Sequence, residues 1–273
     1  MTATMTGQVS PDLRTTLRAL KLGQMLDTLP ERLTLARQQK MTHADFLELI
    51  LADEVTRREA KSAGLRARAA GLDAAMRLDA WDESAAVRYD RQLWNELTSL
   101  RFLDGPHGAL ILGPVGVGKT HMACALGHIA IRRRRTVHMA PAAKLLKRLK
   151  AARLDNTLEA EMRRLAGVEL LILDDFALQP LDATETADFY QLCVERHRKT
   201  ATIVTSNRTA EEWLSMMADP LLAQSAVDRL TSTAYELIIE GESYRQRQKP
   251  SIHPGHDTGV SVDDEKGNHH DHS

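Results

Sequence analysis

One stretch of the sequence constrains the fold more than any other: four apolar residues lead into a glycine-rich loop, and a helix-forming segment follows. The apolar residues are 109–112, the loop has the pattern Gly113-x-x-x-x-Gly118-Lys119-Thr120, and residues 121–130 favour a helix. A phosphate-binding loop requires this order of strand, loop and helix. Because glycine accepts positive φ, several N–H groups of the loop can converge on one anion, and the helix dipole adds positive potential.

Two side chains at the end of this loop have distinct predicted roles. We expect Lys119 to reach the β- and γ-phosphates of a nucleoside triphosphate, and the Thr120 hydroxyl to hold Mg²⁺. Since the pattern fixes only four positions, a chance match is the alternative. The apolar strand before the loop and the helix after it argue against chance.

Length and composition limit the class of protein. A chain of 273 residues can form one large domain, or a medium domain with a smaller appendage. Two cysteines, Cys124 and Cys193, give no disulfide framework, and we expect both to be small buried side chains. The chain shows no signal-peptide pattern at its start and no apolar run long enough to span a bilayer, so we expect a cytoplasmic protein without a membrane partner.

The chain before the loop is expected to be helical. Ser10 with Pro11, and Thr42 with Asp45, are typical helix starts, and we find no β-rich segment before residue 109. We predict a small all-helical N-terminal domain over residues 1–75. Residues 76–108 form a connector that packs onto the next domain and contains a short helix around residues 91–100.

From residue 109 onward, short apolar strands alternate with helices. The predicted strands are 109–112, 136–140, 170–174, 202–206 and 235–240. Most of them lack polar alternation, as strands buried on both faces of a parallel sheet do. The predicted fold class is therefore α/β, a doubly wound domain over residues 109–248 with a five-stranded, mostly parallel sheet and a ligand at the carboxyl ends of its strands.

The last segment, residues 249–273, is polar and ends in a cluster of histidines. It contains too little apolar surface to offset the entropy of ordering, so we expect disorder. The histidines could bind a metal, but the sequence builds no closed ligand set around them, and an unstructured tail is the favoured interpretation.

Three polar side chains follow two of the predicted strands. Asp174 ends an apolar strand and is expected to hold Mg²⁺, while Asp175 could polarise the attacking water or could be only an N-cap or hinge residue. Asn207 ends the next strand. Alone it would suggest a turn, but its strand should place it near Asp174 and the γ-phosphate, where it could orient water.

Arg229 lies on a predicted helix just before the last strand. It is too far along the fold to serve its own phosphate loop, so it could reach the γ-phosphate of a neighbouring subunit. The alternative is a surface arginine paired with a nearby acid, which contributes little to stability.

Residues 131–153 are strongly basic and contain no carboxylate. Such a stretch is a poor former of salt bridges, and it suits the phosphate backbone of nucleic acid, with a solvated helix face as the alternative. Aromatic residues are too scarce for base stacking. The candidate DNA-binding residues are Arg132, Arg133, Arg134, Arg135, Lys144, Lys147, Arg148, Lys150 and Arg153.

Together these segments resemble the IstB-type transposition helper ATPases, relatives of the DnaC helicase loaders in the AAA+ superfamily. The resemblance covers about residues 17–247. Besides the phosphate loop, it rests on Leu17-Arg-Ala-Leu-Lys-Leu, Phe46-Leu-Glu-Leu-Ile-Leu-Ala-Asp-Glu, Leu173-Asp-Asp, Thr205-Ser-Asn-Arg208, Asp228-Arg-Leu and Gly241-Glu-Ser-Tyr-Arg245.

The resemblance implies a helper that assembles on double-stranded DNA with ATP and Mg²⁺, forms a homo-oligomer and engages a transposase. Lys119 and Thr120 match Walker A, Asp174 and Asp175 Walker B, Asn207 sensor 1, and Arg229 the arginine finger. The implied nucleotide-binding residues are Gly113, Pro114, Val115, Gly116, Val117, Gly118, Lys119, Thr120, His121 and Arg245.

Several alternatives remain at this point. A DnaC-like helicase loader would share the same motifs. A P-loop kinase of a small metabolite would need an arginine-rich lid, and a GTPase would need an Asn-Lys-x-Asp segment, neither of which we find. A non-hydrolysing scaffold also remains, because aspartate at residue 175 is one methylene shorter than the usual glutamate.

Overall fold

The computed structural model describes residues 9–81, 87–105 and 107–244. Its helices are α1 Pro11–Ala19, α2 Leu29–Gln38, α3 His43–Ala69, α4 Arg91–Ser99, α5 Lys119–Arg132, α6 Ala142–Leu154, α7 Leu158–Gly167, α8 Ala183–Arg196, α9 Ala210–Leu214 and α10 Pro220–Thr231. Its strands are β1 Val87–Arg88, β2 Gly108–Leu112, β3 Val137–Pro141, β4 Leu170–Asp174, β5 Ala201–Ser206, β6 Ala234–Ile238 and β7 Glu240–Gly241.

Five of these strands form one sheet in the order β3-β4-β5-β2-β6, and every neighbouring pair is parallel. This confirms the predicted five-stranded α/β sheet. The first strand of the sheet in the chain, β2, lies between β5 and β6, so the loop after β2 leaves the sheet beside the end of β5. In an open parallel sheet, this crevice at the carboxyl ends is where ligands bind.

A second, two-stranded sheet departs from the sequence prediction. The predicted strand 235–240 ends at Ile238, and β7 pairs antiparallel with β1, with Val87 opposite Gly241. The sequence has no β-rich segment before residue 109, yet the two-residue strand β1 lies there. A two-residue strand shows no measurable periodicity, and its partner lies about 150 residues away in the sequence, so no local pattern could reveal it.

The sheet is buried on both faces. Ile111 and Ile172 face the layer that contains α5, while Leu110 and Leu171 face the layer formed by α6, α7, α8 and α10. This explains why the strands lack polar alternation. Cys124 and Cys193 are buried on α5 and α8, as predicted, and burial raises their thiol pKa values to about 11 and about 12.

The N-terminal helices have a small core of their own, which includes Leu17, Met25 and Leu29. Both predicted helix starts are confirmed. The Ser10 hydroxyl accepts a hydrogen bond from the Leu13 N–H group, and Thr42 and Asp45 form a reciprocal capping box. Among the described residues, no helix is both long enough and apolar enough to cross a membrane.

Helix α3 continues from this core into the layer that covers the sheet. Ala67 near its end, and Ala70 and Leu72 just after it, are buried in the same cluster as α5. The Met139 N–H group of β3 donates a hydrogen bond to the Ala70 carbonyl oxygen at 2.7 Å. The helical region is thus attached to the sheet through packed side chains and the backbone of β3.

Candidate functional site

A cavity of about 430 Å³ lies at the carboxyl edge of the sheet, beside the phosphate loop. It brings together residues that the sequence placed there separately: the loop, the Asp175 side chain after β4, and Asn207 after β5. The lining residues are Met76, Ala80, Trp81, Val87, Val115, Gly116, Val117, Gly118, Lys119, Thr120, His121, Asp175, Leu178, Asn207, Glu242 and Tyr244.

The path of the phosphate loop requires glycine. Gly113 has φ of 148°, and a Cβ atom there would lie 2.2 Å from the carbonyl oxygen of Ile239. Gly118 has φ of 100°, and its Cβ would lie 2.6 Å from the Trp81 ring. Larger residues would displace both the backbone and the ring. The loop therefore closes tightly and directs the N-terminus of α5 at the cavity.

Lys119 is the first residue of α5 and is buried. Its Nζ atom donates hydrogen bonds to the carbonyl oxygens of Gly113 and Pro114, both at 2.7 Å. These two contacts hold the ammonium group against the loop, on the side of the cavity where phosphates would lie. Pro114 thus contributes its carbonyl oxygen to the loop, and it is not among the residues that line the cavity.

The residues around Asp174 fit a divalent cation of the Mg²⁺ type. Asp174 is buried at the end of β4, and its carboxylate accepts hydrogen bonds from the Thr205 and Thr120 side chains. Burial raises the pKa of Asp174, and the neighbouring Asp175 raises it further, while the two hydroxyls lower it. A carboxylate and a hydroxyl are hard oxygen ligands that Mg²⁺ accepts, and its charge would favour the ionised carboxylate.

Asp175 is exposed and has a left-handed backbone conformation, with φ of 52°. One sequence alternative, an N-cap, is excluded, because the next helix, α8, begins at Ala183 and is capped by Asp182. A non-glycine residue at positive φ is strained and persists where the surrounding contacts hold it. Here the strained backbone places the side chain on the wall of the cavity.

Asn207 follows β5 directly, is exposed, and lines the same cavity. Its strand pairs with β4 on one side and with β2 on the other, so it lies between the acids and the phosphate loop. This is the placement that the order of the strands predicted.

The connector supplies a wall that sequence reasoning missed. Trp81 lies edge-on to His121, with ring centroids 5.3 Å apart, and His121 donates to the Arg77 carbonyl oxygen at 2.8 Å. The Trp81 Nε1 atom is buried and has no acceptor in the described part of the chain. The available signal was the set of aromatic and apolar residues scattered through a polar connector, which indicated packing but not a ligand.

A further part of the cavity wall comes from the end of the described chain. The Tyr244 N–H group donates to the Gly116 carbonyl oxygen at 2.9 Å, which joins this segment to the phosphate loop. Arg245, expected at the nucleotide, lies outside the described residues. So do the histidines of the tail and residues 249–273, for which disorder was expected.

Arg229 lies in the last turn of α10 and does not line this cavity. Its guanidinium lies over the Tyr190 ring, 5.7 Å from the centroid, and donates to the carbonyl oxygen of Ser225 at 2.8 Å and to the Ser225 hydroxyl. These contacts differ from the acid pair that the sequence offered as the alternative.

The basic stretch runs through the end of α5, the following turn and α6, and most of its side chains are exposed. The expectation that it forms few salt bridges is wrong. Its carboxylate partners come from other parts of the chain: Arg134 pairs with Glu59, Arg135 with Asp104 and Glu169, Arg148 with Glu161, Lys150 with Asp182, and Arg153 with Asp188. Inspection of residues 131–153 alone could not reveal these acids.

The other basic residues differ in their surroundings. Arg133 donates to the carbonyl oxygen of Ser99. Arg132, Lys144 and Lys147 are exposed, and no ion pair or hydrogen bond of their side chains is recorded within residues 9–81, 87–105 and 107–244. These three are the basic residues of the stretch whose charges remain most available to a polyanion.

Comparison with known proteins agrees with the site. The sequence profile of the family described as IstB-like ATP binding protein matches residues 15–251. A Mycobacterium tuberculosis protein, named as an ATP-binding protein in an insertion sequence, is 36% identical over 241 residues, which are 88% of this chain and 96% of that protein. The ATP-binding protein of insertion sequence IS21 from Pseudomonas aeruginosa is 32% identical over 238 residues, or 87% and 90% of the two chains.

Among solved structures, a crystal structure of DnaI superimposes with a TM-score of 0.51 and covers 60% of this chain and 90% of that one. At 20% identity this likeness concerns the fold alone. The family profile spans the helical region, the phosphate loop, both acids and Arg229 together. The chain therefore belongs to the IstB-like ATP-binding protein family.

Proposed function

We propose that the protein is an ATP-hydrolysing helper that assembles on double-stranded DNA as a homo-oligomer and assists a transposase. The observation that carries the proposal is the convergence of the phosphate loop, Asp175 and Asn207 on one cavity, with Asp174 beside it. Two acids, an amide and a loop lysine at the end of a parallel sheet are the groups that phosphoryl transfer to water requires.

In the proposed mechanism, the loop N–H groups and Lys119 bind the β- and γ-phosphates, and Thr120 and Asp174 would hold Mg²⁺. When bound, Mg²⁺ would neutralise charge on the phosphate oxygens. Asp175 accepts a hydrogen bond from the attacking water, and Asn207 orients that water. Because Trp81 and Tyr244 lie on the walls beyond the loop, we expect them to contact the nucleoside part of ATP.

Arg229 completes the site from a neighbouring subunit in this proposal. Arg229 does not line its own cavity, which leaves it available to a neighbouring one. A guanidinium at the γ-phosphate stabilises the charge of the transition state. Hydrolysis would then depend on assembly, and loss of the γ-phosphate would weaken the contact between subunits. ATP would favour the assembled state and hydrolysis would favour disassembly.

Duplex DNA and a transposase are the proposed partners. The exposed Arg132, Lys144 and Lys147 support backbone-dominated DNA binding. The names of the relatives place those proteins in insertion sequences, which supports a transposase as partner. The family profile also matches the helical region of this chain. This favours a transposase over a replicative helicase as the partner.

The test is direct imaging of the protein on duplex DNA with ATP, with ADP and with the Arg229→Ala variant. We expect ordered assemblies of the wild-type protein on DNA with ATP, and none with ADP or with the Arg229→Ala variant. A mixture of Lys119→Ala and Arg229→Ala subunits should recover part of the ATPase activity, because some interfaces then combine an intact loop with an intact arginine. Recovery must be absent if Arg229 acts only within its own subunit.

Binding to purified partners separates the two helper functions. We expect a purified insertion-sequence transposase to bind the assembled protein, and a purified replicative helicase not to bind. The opposite result would favour a helicase loader. ATP turnover that is indifferent to both DNA and assembly would contradict the proposal as a whole.

A further inference from the structure

The end of β5 holds the segment that carries both acids. The Thr205 side chain is fully buried, and its hydroxyl donates a hydrogen bond to Asp174 Oδ1 at 2.6 Å. The same hydroxyl oxygen accepts a hydrogen bond from the Asp175 N–H group at 2.9 Å. One hydroxyl therefore connects the carboxylate of the first acid with the backbone of the second.

The residues that follow continue this pairing. The Phe176 N–H group donates to the Thr205 carbonyl oxygen at 2.8 Å, and the Ser206 hydroxyl donates to the Phe176 carbonyl oxygen at 2.8 Å. Arg208 Nε donates to the Ala177 carbonyl oxygen at 3.1 Å. Three residues of the Thr205-Ser-Asn-Arg208 segment thus each hold part of residues 174–177. Asn207, the fourth, lines the cavity instead.

These contacts restrain the left-handed backbone of Asp175. Asp175 and Ala177 have φ values of 52° and 55°, and such strained residues persist only where neighbouring groups hold them. The hydrogen bond from the Asp175 N–H group to Thr205 is a direct restraint on this conformation. Without it, relaxation of the backbone would turn the Asp175 side chain away from the cavity wall.

We infer that Thr205 is a positioning residue that orients Asp174 for Mg²⁺ and Asp175 for water at the same time. This inference rests on the proposed function, because it assigns Thr205 a role in that site. A hydroxyl has one proton to donate and lone pairs to accept, and here the carboxylate takes the proton while the amide uses a lone pair. Valine has a similar shape and can do neither, whereas serine can do both.

The test compares Thr205→Val with Thr205→Ser and with a matched control, Thr202→Val. Thr202 lies on the same strand, and its hydroxyl accepts a hydrogen bond from Nε of the buried Arg196 at 2.9 Å, away from the cavity. The control therefore makes the same substitution in β5 and also removes one hydrogen bond. Thermal unfolding is measured for each variant with ATP and EDTA, and with ATP and Mg²⁺, together with ATPase activity against Mg²⁺ concentration.

For Thr205→Val we expect binding of ATP in EDTA to be close to that of the wild type. The additional stabilisation by Mg²⁺ should be lost, and the Mg²⁺ concentration for half-maximal activity should rise about 10- to 100-fold, as for other residues that orient metal ligands. Thr205→Ser should restore the Mg²⁺ response. Thr202→Val should lower the melting temperature in all conditions and keep the wild-type Mg²⁺ response.

A Thr205→Val variant that responds to Mg²⁺ like Thr202→Val would overturn the inference. Failure of Thr205→Ser to restore the response would also overturn it. If Thr205→Val does not fold, Thr205→Ala is compared with Thr202→Ala in the same assays under the same criteria. The wild-type arm tests the proposed function separately: a wild-type protein without Mg²⁺-dependent ATP hydrolysis would refute that function, whatever the variants show.

Discussion

The carboxyl edge of the sheet and the basic stretch of residues 132–153 were both singled out from the sequence, yet they differ in what surrounds them. At the sheet edge, Lys119, Thr120 and Asp175 line one cavity, and the Thr120 side chain also contacts Asp174, as the order of strands leads one to expect. In the basic stretch, five of the nine charges are paired with carboxylates that come from elsewhere in the chain. Backbone topology defines the first region, and long-range side-chain pairing defines the second.

The difference has a simple physical origin. Parallel strands must present their carboxyl ends at the same edge, so residues that follow β2, β4 and β5 meet there whatever side chains lie between them. Charged side chains have no such constraint, because any acid within reach in the fold can pair with them. A motif therefore predicts a site at a strand end better than a run of charges predicts a binding surface.

The largest expected effect is on ATP hydrolysis, and it should differ between one lysine of the sheet edge and one of the basic stretch. Lys119→Ala removes the ammonium group that the loop carbonyl oxygens hold, and we expect at least about 100-fold loss of ATP hydrolysis, or about 2.8 kcal/mol of transition-state stabilisation. Lys147→Ala, the same substitution at an exposed position of α6, should leave basal ATPase activity within about twofold. Steady-state kinetics measure both variants. A similar loss in both would contradict the distinction.

The next effect concerns a basic residue that the sequence assigned to DNA. Arg153 pairs with Oδ1 of Asp188, which is fully buried on α8, and the Oδ2 atom of Asp188 has no hydrogen-bond partner in the described part of the chain. Arg153→Ala should destabilise the fold by about 1–3 kcal/mol, because it leaves a buried carboxylate without its cation. Because the Arg153 side chain is half exposed, the loss of stability should be smaller than for a fully buried ion pair. Denaturant unfolding measures the change.

A double-mutant cycle gives the control for this prediction. Asp188→Asn combined with Arg153→Ala should cost less than the sum of the two single variants, since the buried charge is then absent. Lys147→Ala should change the free energy of unfolding by less than about 0.5 kcal/mol. If Arg153→Ala behaves like Lys147→Ala, the ion pair to Asp188 does not stabilise the protein.

The sequence predicted the sheet and the main residues at its edge because those depend on strand order and on a short motif. It did not predict the small sheet of β1 and β7, since two-residue strands carry no periodic signal. Trp81 on the cavity wall was also missed, because the connector reaches the site only through tertiary packing. Thr205 looked like an ordinary strand residue, and only its distance to Asp174 revealed its partner.

Measurements of DNA binding test whether ion pairs with carboxylates reduce the contribution of basic side chains to DNA affinity. The double variant Lys144→Gln/Lys147→Gln removes two exposed charges without recorded partners in the described residues. If these lysines contact phosphates, the slope of log affinity against log salt should fall by about 2.

The matched variant Arg148→Gln/Lys150→Gln removes two charges from the same helix, but these already pair with Glu161 and Asp182. Its slope should fall by less than about 1. Equal changes would show that the acid pairs do not compete with DNA.

The smallest expected effect concerns Arg134, whose pair with Glu59 of α3 is exposed on both sides. Exposed ion pairs contribute little, because solvent screens the charges and both side chains lose rotamer freedom. Arg134→Ala should therefore change the free energy of unfolding by less than about 0.5 kcal/mol, in contrast to Arg153→Ala. Denaturant unfolding at low and at high salt measures it. A loss of about 1 kcal/mol or more would be on the order of the Arg153 effect. It would mean that the pair with Glu59 of α3 stabilises the attachment of the helical region to the sheet. Exposure alone would then not predict how much each charge of the basic stretch contributes to stability.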